Sequence, residues 1–175
     1  MKIFLHYFMF ALLLICITTN LHAEKPWDFP GVALKVRYFE GNLQTTHQSC
    51  LTVFPDNHYR LIRVNARRFS DPETHVFSGT MTQANADDLT NILQSEEFKK
   101  LQSATPLGPR TPGDIISYQI YVPRPDRNQV LIFESEGTTI HSPPKPFVAW
   151  FAALQKQEVV ETKQTPEDKC TLKGP

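Results

Sequence analysis

CLTVFPDNHYRLIRV, residues 50–64, is the stretch that decides how this chain folds. Cys50–Phe54 and Tyr59–Val64 are strand-like runs, and the residues between them, Pro55-Asp56-Asn57-His58, are of turn-forming type. Two runs joined so tightly predict an antiparallel hairpin, because parallel neighbours need a crossover of a dozen or more residues. Working outward toward the N-terminus, Val32, Leu34, Val36 and Tyr38 alternate with Lys35 and Arg37, the pattern of a half-buried strand over Val32–Phe39. Toward the C-terminus, His75–Met81 predicts another strand, with Phe77 and Met81 on one side and Gly79 marking a bulge or a close approach.

The period then changes. Ala86, Leu89, Ile92 and Leu93 stand at helical spacing, Thr82 is the expected N-cap, and Asp87 and Asp88 are placed early enough to suit the positive helix end. Ser95 is expected to interrupt or recap this helix before Phe98 and Leu101. Ser103–Asp114 holds three prolines and two glycines and reads as loop. A second hairpin follows: Ile116, Tyr118, Ile120 and Val122 alternate, Pro123–Asn128 supplies the turn, and Val130–Phe133 is an apolar return strand. Pro146 suits the first turn of a final helix, whose Phe147, Trp150, Phe151 and Leu154 form one face over the core. From Glu158 onward apolar periodicity is lost, which leaves Cys170 as the anchor of the tail.

These elements predict an α+β domain over residues 31–157, with an antiparallel sheet of five to six strands and two helices on one face. A lead, 24–30, precedes it and a polar tail, 158–175, follows. A duplication relating residues 49–101 to 115–157 is suggested by element order, but residue identity between the halves is too poor to establish it.

Residues 1–23 read as a signal peptide: Lys2, the apolar run Ile3–Ile17, and Ala23 at the cleavage point. The apolar run is shorter than the roughly 20 residues of a membrane span, although Leu21, bulky for its position, keeps a retained anchor as the alternative. The expected location is secreted or extracytoplasmic, periplasmic in a double-membrane bacterium. Removing Lys2 leaves 18 − 1 = 17 basic residues against 18 acidic. That balance argues against nucleic acid and against a membrane surface once the signal is removed. Cys50 and Cys170 remain after export, and an oxidising compartment favours joining them. The competing reading pairs Cys50 with His47 as nucleophile and base or as half of a metal site, but no second ligand pair has comparable spacing.

The helical Asp88-Leu89 to Phe98 segment, Asp114-x-x-x-Tyr118-x-Ile120, Gln129-Val130-Leu131-Ile132-Phe133, and Pro144 followed by Phe147 and Trp150 together resemble emfourin-type inhibitors of metallopeptidases and related small domains of unknown function. The resemblance covers about half of the chain after residue 23 and is one of core positions. The Gly-Gly element at the start of that family is absent. What the resemblance implies is peptidase inhibition, with no family binding residue carried onto this sequence.

Of the histidines after residue 23, His58 falls in a turn and His141 in a proline-rich segment. Asp71, Glu73 and His75 would share one side of a continuous strand, a metal or proton-transfer arrangement, although Pro72 favours a solvated turn. Arg60, Arg63, Arg67 and Arg68 are the densest basic group. Arg60 and Arg63, three apart, face opposite sides, while Arg63, Arg67 and Arg68 are the candidate grip on an acidic partner or polysaccharide through forked, charge-assisted hydrogen bonds. No G-x-S-x-G, H-E-x-x-H or phosphate-cradling glycine motif is present. The expected function is therefore a non-enzymatic protein-interaction domain acting on another exported protein through loops or a sheet edge. No catalytic residue, metal or cofactor is assigned. The alternative is a small extracytoplasmic hydrolase or metal-dependent enzyme centred near His47 or His75.

Overall fold

The hairpin at residues 50–64 forms as β2 (Thr45–Val53) and β3 (His58–Arg67), paired antiparallel with Leu51 opposite Leu61. Asn57 takes the left-handed conformation, φ 65°, and its N–H reaches the Phe54 carbonyl at 3.1 Å, so the Pro-Asp-Asn turn closes as its residue types require. This computed structural model describes residue 29, residues 31–104, 114–136, 141–157 and 160–163, and residue 170, all within one unit, Phe29–Leu172. The expected signal segment, most of the lead and residues 105–113 of the expected loop lie outside the described residues.

Around that hairpin the sheet adds β1 (Leu34–Gly41), β4 (Glu73–Thr80), β5 (Ile115–Val122), β6 (Gln129–Glu136) and β7 (Val160–Thr162). The order is β6-β5-β1-β2-β3-β4-β7, and every pairing is antiparallel. Seven strands replace the expected five to six. The extra one is β7, which pairs with β4 through Val76–Thr162 and Ser78–Val160. A three-residue strand held by backbone hydrogen bonds at a sheet edge needs no apolar alternation, and its Val160 is 73 % exposed.

Register places one apolar row across six strands: Leu131, Ile120, Val36, Leu51, Leu61 and Phe77. Over this face lie α1 (Gln83–Gln94), the single turn α2 (Glu96–Lys99) and α3 (Lys145–Gln155), whose Leu89, Leu93, Phe98, Phe147, Trp150 and Phe151 share the row's buried cluster. Thr82 Oγ1 accepts from the Asn85 N–H at 3.3 Å, which makes it the N-cap of α1. Asp87 and Asp88 fall beyond the first turn, where Asp87 accepts from Gln83 Nε2 at 2.8 Å. Ser95 both ends α1 and caps α2, accepting from the Phe98 N–H at 3.2 Å. The two longer helices are pinned together where Trp150 Nε1 donates to the Asn85 carbonyl at 3.1 Å.

Gly79 is a close approach within an unbroken ladder. A Cβ at this position would stand 2.7 Å from Tyr59 Oη and 2.8 Å from its Cζ, and the Tyr59 ring is buried and unable to swing away. Gly79→Ala is therefore expected to destabilise by about 1–3 kcal/mol, the range for overpacking. Adding Tyr59→Leu should recover part of that loss in a urea-unfolding double-mutant cycle, and strict additivity of the two changes would refute the contact.

Candidate functional site

Along β1 to β4 the helix-covered face changes from apolar to polar toward the β1–β2 turn, while on β5 the apolar Ile116 continues it. The row next to the core runs Phe133, Tyr118, Tyr38, Ser49, Arg63 and His75, and the following row runs Glu40, His47, Asn65 and Glu73. The helical layer ends between them. Phe151 packs its ring 6.3 Å from those of both Tyr38 and Tyr118, and Arg63 Nη2 donates to the carbonyl of Gln155, the last residue of α3. Tyr38 Oη donates to Glu40 Oε2 at 2.7 Å, and burial first, then this carboxylate, raises the Tyr38 phenol well above its ordinary pKa.

Arg63 is thus occupied within the fold. Its guanidinium lies 4.9 Å from the centroid of Phe77 and caps a helix C-terminus, where a cation complements the helix dipole. Arg60 is on the opposite face, in register with Thr52 and Ser78. Arg67 and Arg68, by contrast, are exposed at the turn joining β3 to β4. The structure therefore brings together two of the three arginines that the sequence groups, and sends the third into the helix layer.

Two turns meet at this end of the sheet. In the first, Asn42 Oδ1 accepts from the N–H groups of Gln44 and Thr45, at 2.8 and 3.0 Å, which projects Leu43 outward. In the second, the Ser70 N–H closes on the Arg67 carbonyl at 3.1 Å and Phe69 has φ 68°. The Arg68 N–H donates to the Gln44 carbonyl at 2.8 Å, so the turns run side by side. Leu43 is 73 % exposed and Phe69 93 % exposed, with the Arg68 guanidinium 4.8 Å from the Phe69 ring centroid. Beneath them a cavity of about 350 Å³ is lined by Thr45, His47, Asn65, Arg67, Asp71 and Glu73, among others.

The histidine chemistry considered from sequence is divided, with His47 on the cavity wall beside Asp71 and Glu73, and His75 turned to β7. His47 Nδ1 shares a hydrogen bond with Asn65 Oδ1 at 2.9 Å, while Cys50 points to the other face and is joined to Cys170 in a disulfide with Cα atoms 5.3 Å apart. Glu73 and His75 do share a strand face, but Asp71 lies before β4, and His75 Nδ1 pairs with Glu161 Oε1 of β7 at 2.8 Å. His58 pairs with Asp56 at 3.1 Å. Among the described residues no group of three or more His, Cys, Asp or Glu side chains could hold a metal ion. Nor is any described helix long and apolar enough to cross a membrane.

A larger cleft, about 950 Å³, lies between α2 and the β5–β6 turn. Two of its polar side chains are already spent, since Arg124 donates to the Leu93 carbonyl and to Gln129 Oε1, and Gln129 Nε2 donates to the Phe98 carbonyl. Comparison with protein-family models, with curated proteins and with solved structures finds no match to this chain.

Proposed function

We propose that this protein is an exported, non-enzymatic recognition domain that grips another protein with its paired turns, Leu43 and Phe69 supplying apolar anchors and Arg67 and Arg68 the charge. Phe69 carries the reading. A bulky residue with φ > 0 costs on the order of 1–3 kcal/mol in backbone strain, and an almost fully exposed phenyl ring recovers none of that by burial. Strain retained at an exposed aromatic is the mark of a residue kept for contact, and aromatic and arginine side chains are enriched among residues that dominate interface energies. The partner surface this suits is an apolar recess rimmed by acidic groups. A secreted metallopeptidase is the sharpest form of that partner, through the family resemblance.

Phe69→Asn provides the test, because asparagine tolerates the left-handed conformation. The variant is expected to be more stable than the wild type by about 1 kcal/mol, from relief of strain. It is also expected to bind its exported partner, or inhibit a secreted metallopeptidase, at least about 30-fold more weakly, as when a hot-spot aromatic worth about 2 kcal/mol is lost. Thermal melts and inhibition titrations of the purified oxidised protein give both readouts. Unchanged binding or inhibition by Phe69→Asn, or substrate turnover by the protein alone, would overturn the proposal.

A further inference from the structure

Among the described residues, the sheet face opposite the helices is covered at two places. At one, Cys170 packs against the cluster of Cys50, Ile62 and Val76, and its carbonyl accepts from Gln48 Nε2 at 2.7 Å. At the other, Phe29 meets Tyr121 edge-on at 4.9 Å, donates its N–H to Tyr121 Oη at 3.3 Å, and lies 4.1 Å under Lys35 Nζ. Beside these covers, on β1, β5 and β6, a groove of about 310 Å³ is lined by Arg37, Phe39, Ile115, Ser117, Gln119 and Glu134.

Arg37 is the anomaly in that groove. Its neighbours across the ladders are Cys50 and Gln119, and its Nε is buried with no acceptor among the described residues. An unsatisfied buried donor on a cation is more costly than one on a neutral group, and a threonine or valine would fill the strand position without that penalty. Burial lowers the pKa of Arg37, and likewise that of Lys35 two residues earlier on the same face. Glu134 lines the same groove and is not free. The Glu134 carboxylate already offsets the Arg37 guanidinium, so each further negative charge is added to a near-neutral groove, which disfavours a dianion such as phosphate more than a monoanion held by direct hydrogen bonds.

We propose that this groove binds an organic monocarboxylate, with the carboxylate on the Arg37 guanidinium and the apolar body against Phe39 and Ile115. A turn of the guanidinium about its last torsion presents Nε and a terminal nitrogen to the two oxygens, the forked pairing that arginine favours. Ser117 and Gln119 supply the remaining polar partners on the groove floor. This chemistry has two sources, a free organic acid or the C-terminal carboxylate of a peptide. The site faces away from the helices and does not depend on the paired turns, so it stands or falls separately from the recognition surface.

The probes are octanoate, benzoate, and a short peptide ending in phenylalanine with its C-terminus either free or amidated, all at matched ionic strength. The readout is the Arg37 Nε–H resonance by NMR together with the thermal midpoint of the oxidised protein. Saturable movement of that resonance and a raised midpoint are expected with octanoate or benzoate if the source is a free acid. If the source is a peptide terminus, the same responses are expected with the free peptide and not the amide. Arg37→Met should weaken the midpoint response on the order of 10- to 100-fold. No response of the wild-type resonance to any probe, or an undiminished midpoint response in Arg37→Met, would overturn the proposal. Should Arg37→Met fail to fold, the wild-type titration still decides.

Discussion

Cys170→Ser is expected to lower the unfolding free energy by about 2–5 kcal/mol, among the largest single-site losses in this protein. The Cys50–Cys170 bond closes a loop with a sequence separation of 120, for which chain-entropy reasoning gives about 4.5–5 kcal/mol as an upper figure. The native state loses contacts as well. Cys170 packs against the buried cluster of Cys50, Ile62 and Val76 on the face without helices, and without the bond that cluster loses the tail's side chain as cover. The Gln48 hydrogen bond to the Cys170 carbonyl is left without its anchor. Urea unfolding of oxidised wild type, reduced wild type and Cys170→Ser provides the check. The last two should share a midpoint well below the first, and the oxidised protein should have the smaller m-value because its unfolded chain is more compact. Coincident midpoints for oxidised and reduced wild type would mean that the bridge contributes nothing.

That bond was legible in the sequence because two cysteines after residue 23 and an expected oxidising compartment leave one pairing. The strands β1 to β6 were legible for a related reason. β1 and β5 carry the alternation of a half-buried face, and β2, β3 and β6 are apolar runs bounded by turn residues, all contributing to the row from Leu131 to Phe77. Thr82, Ser95 and Pro146 announced helix boundaries through chemistry that operates within a few residues. What escaped depends on structure beyond that range. β7 is held by backbone hydrogen bonds at an edge, so its side chains carry no signature. Strand parity put Arg60 and Arg63 on opposite faces, but which helix end would reach Arg63 depends on how α3 lies over the sheet. Phe69 was passed over because its positive φ is a property of the closed turn. The available signal was an aromatic residue directly ahead of Ser70-Asp71-Pro72, where turn chemistry leaves it nothing to pack on. Parity puts Arg37 on the outer side of β1, as it is, but that side is partly covered, which buries its Nε.

Phe147→Ala is expected to destabilise by about 3–5 kcal/mol, the range for emptying a buried phenylalanine site. Phe147 has no exposed surface, and its ring centroid lies 5.5 Å from that of Phe98 in α2 and 5.9 Å from that of Trp150 in α3. It follows Pro146 in the first turn of α3, so it seats the start of that helix against the turn that Ser95 caps. Its removal leaves a cavity that neighbours close poorly, because Phe98 is fixed by the cap and Trp150 by its hydrogen bond to the Asn85 carbonyl. Phe147→Leu keeps most of the volume and should cost less than about 1.5 kcal/mol. A double-mutant cycle with Phe98→Leu isolates the ring pair, with a coupling of about 0.5–1.5 kcal/mol expected beyond burial. The paired turns lie at the far end of the strands, outside this contact. If the paired turns hold a partner as proposed, Phe147→Ala, at temperatures where it remains folded, should therefore keep the wild-type affinity for it. A matching loss of affinity would mean that the helix layer, and not the turns, meets the partner.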